Sequence, residues 1–286
     1  MPTASASPPP STFQLGGDLP VHRLGFGAMR ITGPGVWGEP QNPAEARRVL
    51  LRARELGIDF IDTADAYGPE VSERLIAETL HPYASGLVIA TKGGCTRPQP
   101  SSWDRDGSPE HLVQALEASL RRLRVERIDL YQLHAVDPKV PLEDSVEALA
   151  RLREQGKIRH LGLSNVSVEQ LRRAREIVPI VSVQNRYNLS DRESEDVLEA
   201  CERDGIGFIP YFPVAAGQLA SARSPLTQTA KRHGVTPAQL ALAWLLHRSP
   251  VMLPIPGTSS VAHLEENTAA ARVQLSREEV EGLGRG

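Results

Sequence analysis

Cysteine is nearly absent from the 286 residues: Cys95 and Cys201 stand far apart and can build no framework of bridges. That excludes a disulfide-stapled secreted scaffold and leaves a reduced, cytoplasmic setting as the expectation. Neither Cys-x-x-Cys nor His-x-x-x-His occurs, so no zinc site is suggested. No apolar run approaches the ~18 residues of a membrane span. Residues 1–10, MPTASASPPP, lack the basic start and apolar core of a signal peptide, and read as a loose tail ahead of one domain over 11–286. Neither sign of charge dominates; a formal net charge of −3 offers no long-range attraction to nucleic acid or acidic lipid. Lysine is scarce, present only as Lys92, Lys139, Lys157 and Lys231, so a lysine at a strand end is hard to dismiss as incidental.

What is present is a regular alternation. With 40% hydrophobic and 23% charged residues, the chain can build a substantial core. Strand-like apolar runs cover Arg23–Ala28, Asp59–Thr63, Leu87–Lys92, Ile128–His134, His160–Ser164, Ile180–Gln184, Gly207–Tyr211 and Val251–Pro256. Amphipathic helical stretches separate them. Asn42-Pro43 and Ser108-Pro109 open two of these, and Ser167/Gln170, Thr236/Gln239 and Ser276/Glu279 have capping-box spacing. Gly156 and Gly205 sit where left-handed helix ends are expected. Eight runs in strict βα alternation predict an α/β fold, a (β/α)₈ TIM barrel, rather than an open doubly wound sheet. Gly25-Phe26-Gly27 is followed by Ala28-Met29-Arg30, so the dinucleotide fingerprint of an open sheet is incomplete. Thr12–Val21, with Gly16-Gly17-Asp18 at its middle, predicts a β-hairpin closing the barrel bottom.

Chemistry concentrates at the strand ends. Asp62 and Tyr67 follow the second run, Lys92 ends the third and His134 the fourth. Strands of one barrel bring such ends to one mouth. A tyrosine hydroxyl titrates near 10, and an ammonium group beside it stabilises the phenolate. Lys92 could supply that charge, Asp62 could hold the lysine protonated, and His134 could orient a substrate oxygen. The reaction implied is proton delivery to a carbonyl oxygen while another species attacks the carbonyl carbon. Each residue also has an ordinary reading: Asp62 as a helix cap, Tyr67 packed on Pro69, Lys92 as a loop lysine, His134 bonded to a backbone carbonyl. Those readings leave the common placement of all four unexplained.

With Asp62-x-x-x-x-Tyr67, Thr91-Lys92 and Leu133-His134 in this order, the chain resembles the aldo-keto reductase superfamily, from about Thr12 to the last helix. The resemblance implies that Tyr67 is the general acid, that Lys92 and Asp62 tune it, and that His134 orients the carbonyl for hydride from a reduced nicotinamide. Leu161-Gly162-Leu163-Ser164-Asn165 is similar to the family's G-x-S-N segment. By the same resemblance Ser164, Asn165 and Gln184 hold the carboxamide, and Tyr211 stacks on the nicotinamide ring. Phe212, Pro213, Val214 and Gly217 would run along the pyrophosphate, and Gly27, Ala28 and Met29 would meet the cofactor from the first strand end. Gly257, Thr258 and Ser259, with His263, Glu266 and Asn267 on the helix beyond, would hold the adenosine half.

Gly257 and His263 stand where mammalian members often carry lysine and arginine against the 2′-phosphate. NADPH is expected, with NADH possible. Met29, Trp37 and Trp103 are the candidate substrate residues, with Arg30 and Cys95 nearby, and the Gly93–Ser108 loop is long enough to line the pocket. Arg23–Met29, Gly33–Gly38, Phe212-Pro213 and Ile255–Asn267 are similar to the bacterial pyridoxal reductase branch, which implies reduction of pyridoxal to pyridoxine. The partner is then a small carbonyl compound, and the protein a monomer or weak homo-oligomer. Two other readings remain at this point: a nicotinamide-binding regulatory subunit with vestigial activity, and a barrel enzyme using Lys92 as a Schiff base.

Overall fold

The sheet strands are buried almost throughout, and the alternating direction of their side chains sorts them into two cores. In the computed structural model, which describes residues 11–214 and 224–284, a seven-stranded parallel sheet curls round an interior. Its strands in spatial order are β11 (Gly207–Tyr211), β10 (Ile180–Arg186), β9 (Ile158–Ser164), β8 (Ile128–Leu133), β5 (Val88–Gly93), β4 (Phe60–Asp62) and β3 (Phe26–Gly27). Phe60, Val88, Ala90, Leu130, Val181 and Ile209 point inward and pack together. Ile61, Ile89, Tyr131, Leu133, Leu161 and Phe208 point outward beneath the helices. Each fully buried side chain of this size contributes roughly 1.5–3 kcal/mol.

The same period of two fixes the polar residues, apart from an irregularity at 180–182 of β10 where Val181 and Ser182 both face inward. Asp62, Lys92, Gln132, Ser164 and Gln184 have the inward parity of Phe60, Ala90, Leu130, Gly162 and Ser182, one pleat nearer the C-terminal end. Sequence-distant side chains therefore meet at one mouth.

At the opposite end, β1 (Thr12–Leu15) and β2 (Leu19–His22) form the expected antiparallel hairpin. Leu15, Leu19 and Val21 join the inward-facing cluster, so the hairpin stoppers the barrel with apolar side chains. Gly16 has φ +60°, and a Cβ there would meet the His160 ring at 2.3 Å; both conformation and space require glycine.

The eighth run, 251–256, departs from expectation. It is extended but forms no ladder, pairing with β11 only through Phe208 and Met252. Phe208 N–H donates to Val251 O at 2.8 Å, Leu253 N–H to Phe208 O at 2.7 Å, and Gly25 N–H to Pro254 O at 3.0 Å. Pro254 and Pro256 have no N–H to continue a ladder. The barrel closes all the same, through these bonds between its seventh strand and the chain ahead of its first.

The helices surround the sheet: α1 (Pro43–Glu55), α2 (Val71–Leu80), α3 (Pro109–Leu123), α4 (Leu142–Glu154), α5 (Val168–Arg175), α6 (Glu195–Asp204), α7 (Pro225–His233), α8 (Pro237–Arg248), α9 (Val261–Ala269) and α10 (Arg277–Leu283). Asn42 and Ser108 cap α1 and α3, and all three expected capping boxes form. Gly156 and Gly205 are left-handed behind α4 and α6. The long loop after β5 has structure of its own, a small ladder of β6 (Cys95–Thr96) with β7 (Asp104–Arg105). Among the described residues no helix is long and apolar enough to cross a membrane, and no cluster of His, Cys, Asp or Glu could hold a metal.

Candidate active site

Lys92 is fully buried at the end of β5 and reaches three oxygens. Its Nζ donates to Asp62 Oδ2 at 2.6 Å, to Thr63 O at 2.7 Å and to the Tyr67 hydroxyl at 3.3 Å. Because the lysine donates to the phenolic oxygen, the tyrosine's own proton is left to point elsewhere. Asp62 Oδ1 accepts from Gln184 Nε2 at 2.8 Å and from Gln132 Nε2 at 3.2 Å, so the carboxylate is saturated on the side away from the lysine. Gly162 makes room for this: a Cβ there would lie 2.9 Å from Gln132 Cγ.

Burial governs the electrostatics. It pushes the Tyr67 phenol up, and the Lys92 ammonium only partly pulls it back, so Tyr67 is a protonated acid at neutral pH. The expected lowering by lysine is present, but loss of water outweighs it. Burial also opposes the Lys92 charge; Asp62 and then Tyr67 more than compensate, and the ammonium persists. His134 is driven well below its ordinary value by burial and by Lys92, leaving a neutral imidazole. Its Nδ1 is out of solvent with no partner among the described residues. The His134 ring stands edge-on to Tyr67, centroids 5.9 Å apart.

These groups open onto a cavity of about 600 Å³. Asp62, Tyr67 and His134 line it, as do Gly27, Met29, Arg30 and Trp103. So do Ser164, Asn165, Gln184, Tyr211, Phe212, Pro213, Val214 and Gly257. Asn165, left-handed at φ 57°, donates to His134 O at 3.0 Å and accepts from the Tyr211 hydroxyl at 2.7 Å. The amide is thus locked in orientation, and it ties Tyr211 to the His134 backbone. Gly27 and Gly257 press together; a Cβ on Gly257 would lie 2.6 Å from Gly27 O, and one on Gly27 would lie 2.6 Å from Ile255 O.

Other expected site residues lie outside the lining. Ala28 is buried, its carbonyl accepting from Ser72 Oγ at 3.2 Å. Trp37 sits on the loop behind Val36 and pairs with Gly68. Thr258 Oγ1 accepts from Ser260 N–H at 3.1 Å, Ser259 and His263 are exposed, and Asn267 is partly buried on α9. Glu266 accepts from the Thr236 hydroxyl at 2.6 Å. Gly217 lies outside the described residues. Cys95 is buried, its thiol pushed up to about 12 by burial, which suits a small packing residue.

Four residues that the sequence reading passed over also matter. Gln132 holds Asp62. Asp65, partly covered as a residue, has Oδ1 out of solvent and unpartnered; burial and Glu73 push its carboxyl up to about 8. Glu45 accepts the first N–H of α9, from Val261, at 3.1 Å. Arg97 is 6% exposed and stacks on Trp103. Only Gln132 carried a sequence signal, since its parity within β8 matches Leu130.

The arrangement can deliver a proton from Tyr67 to an oxygen that neutral His134 orients. The polar groups and close-packed glycines of the cavity fit a flat amide-bearing ring followed by a phosphate chain.

Known proteins share this chain's sequence and fold over nearly its whole length. The model of the aldo/keto reductase family matches residues 23–284. The chain is 53% identical over 262 residues to an uncharacterised oxidoreductase of Schizosaccharomyces pombe, covering 92% of this chain and 85% of that protein. It is 45% identical over 274 residues to pyridoxine 4-dehydrogenase of Escherichia coli, covering 94% and 95%. A solved aldo-keto reductase of Klebsiella pneumoniae in complex with NADPH superposes with a TM-score of 0.82 at 29% identity, covering 96% of this chain and 94% of that one.

Proposed function

The chain belongs to the aldo/keto reductase family, and on that premise we propose that it reduces an aldehyde or ketone to an alcohol with NADPH. The observation that carries this reading is the Lys92 bond to Tyr67 beside a neutral His134, at the floor of one cavity. Tyr67 is the proton donor. Lys92 steadies the phenolate left behind, and Asp62 keeps that lysine charged. His134 orients the carbonyl oxygen towards the phenol. When bound, the reduced nicotinamide supplies the hydride. Ser164, Asn165 and Gln184 meet its amide, Tyr211 its ring, and Phe212 to Val214 its phosphates. A donor so positioned contributes about 10²–10⁴-fold in rate.

The preference for NADPH is supported by the Klebsiella pneumoniae complex and by the Thr258, Ser259 and His263 donors. Glu45 at the start of α9 favours a second reading, NADH, because its carboxylate faces the helix end where a 2′-phosphate would sit. The substrate class we propose includes pyridoxal, on the likeness to pyridoxine 4-dehydrogenase. The free, buried cysteines support a reducing, cytoplasmic setting. The test is NADPH and NADH oxidation by the purified protein across an aldehyde panel that includes pyridoxal. Turnover on some member supports the reading; dinucleotide binding without turnover on any would replace it with the regulatory one.

A further inference from the structure

Arg97, on the loop that follows β6, is a nearly buried cation with no carboxylate partner among the described residues. Its guanidinium donates instead to three backbone carbonyls. Nη1 reaches Val36 O at 3.2 Å, and Nη2 reaches Gly35 O at 3.2 Å and Pro100 O at 2.6 Å. Its Nε has no hydrogen-bond partner among the described residues. Burial of a charge under these terms is costly, so its retention calls for a role.

The geometry on either side of Arg97 supplies one. Val36 is β-branched yet left-handed at φ 59°, following Gly35 at φ 68°. A β-branched residue in that region is strained and persists only where its surroundings hold it. Val36 O accepts from Arg97 and also from Gly68 N–H at 3.2 Å, next to Tyr67. Val36 and Gly35 both line the cavity. On its other side the guanidinium lies 3.9 Å from the Trp103 ring centroid, covering one face of an indole that is still 43% exposed. That indole stands edge-on to Tyr67 at 6.4 Å and to His134 at 6.3 Å. One side chain thus fastens two loops into a flat wall beside the proton donor.

We propose that Arg97 is a positioning residue which fixes Trp103 and the Gly35–Val36 turn, and thereby selects planar aromatic aldehydes over aliphatic ones. This rests on the carbonyl-reductase reading above. A flat ring gains from stacking on a fixed indole, whereas a short alkyl chain has no face to offer. Because Arg97 touches neither the proton donor nor the carbonyl, its effect falls on substrate binding.

The experiment is steady-state kinetics with saturating NADPH, or with NADH if only that is oxidised, on benzaldehyde and on propanal. It compares the unaltered protein with Arg97→Met, Arg97→Lys, Trp103→Ala and the Arg97→Met/Trp103→Ala double variant. Arg97→Met should lower the ratio of kcat/KM for benzaldehyde over propanal about tenfold, through KM, the size expected for a cation–π contact and its bonds. Arg97→Lys should recover part of the ratio, since an ammonium can stack but cannot span three carbonyls. Trp103→Ala should lower the ratio as far, and the double variant no further. A ratio moved less than twofold by Arg97→Met, or equal losses in kcat on both aldehydes, would overturn the proposal. Should Arg97→Met fail to fold, exposed Trp103 decides: an unmoved ratio in Trp103→Ala is equally fatal. If the unaltered protein reduces neither aldehyde nor any other carbonyl, it is the carbonyl-reductase reading that fails.

Discussion

Lys92 Nζ and Asp62 Oδ2 meet at 2.6 Å with their side chains 0% and 2% exposed. Desolvation makes such a pair no great source of stability in itself, but removing one partner strands the other charge. Lys92→Met should therefore destabilise the fold by about 3–5 kcal/mol, in addition to abolishing turnover. Urea denaturation checks this. A loss below about 1 kcal/mol would mean that the Gln132 and Gln184 amides suffice for the carboxylate.

Asp65 should make stability depend on pH. Its carboxyl rises from 3.8 to about 8 on folding. Within that window the native state keeps a proton that the unfolded chain has released, so this group's contribution falls as pH rises. Asp65→Asn should match the unaltered protein near pH 4 and exceed it increasingly towards pH 8. Parallel stability curves for the two proteins would show that the carboxyl is not held protonated.

Glu45 should weigh against a 2′-phosphate. A carboxylate at a helix start competes there with other anions, although its pairing with Arg48 at 2.9 Å softens the effect. Glu45→Gln should tighten NADPH binding roughly two- to fivefold and leave NADH nearly unchanged, as read by fluorescence titration. Equal tightening of both would exclude a role at the phosphate.

The barrel and the mouth residues were legible because both follow from short-range rules. Short apolar runs alternating with capped helices define the strands, and the period-two pleat then turns Asp62, Lys92 and Ser164 towards the interior. The eighth strand was misread because 251–256 has a strand's apolar composition, while its prolines lack the N–H groups of a ladder. Arg97 gave no sign in the sequence: it pairs with backbone carbonyls, and those have no residue signature. Asp65 was overshadowed by Asp62, and its raised carboxyl depends on burial and on the nearby charge of Glu73 of α2, which no local pattern announces. The net rise of the Tyr67 pKa was equally hidden, since the motif announces the neighbouring lysine but not the depth of burial.

The central claim is that the Tyr67 hydroxyl delivers the proton while the rest of the site binds and orients. Tyr67→Phe removes a single oxygen and keeps the ring that packs against His134 and Trp103. Measured on any aldehyde that the unaltered protein turns over, kcat should fall at least about 10²-fold, with the dinucleotide dissociation constant moving less than about threefold. An unchanged kcat would contradict the account.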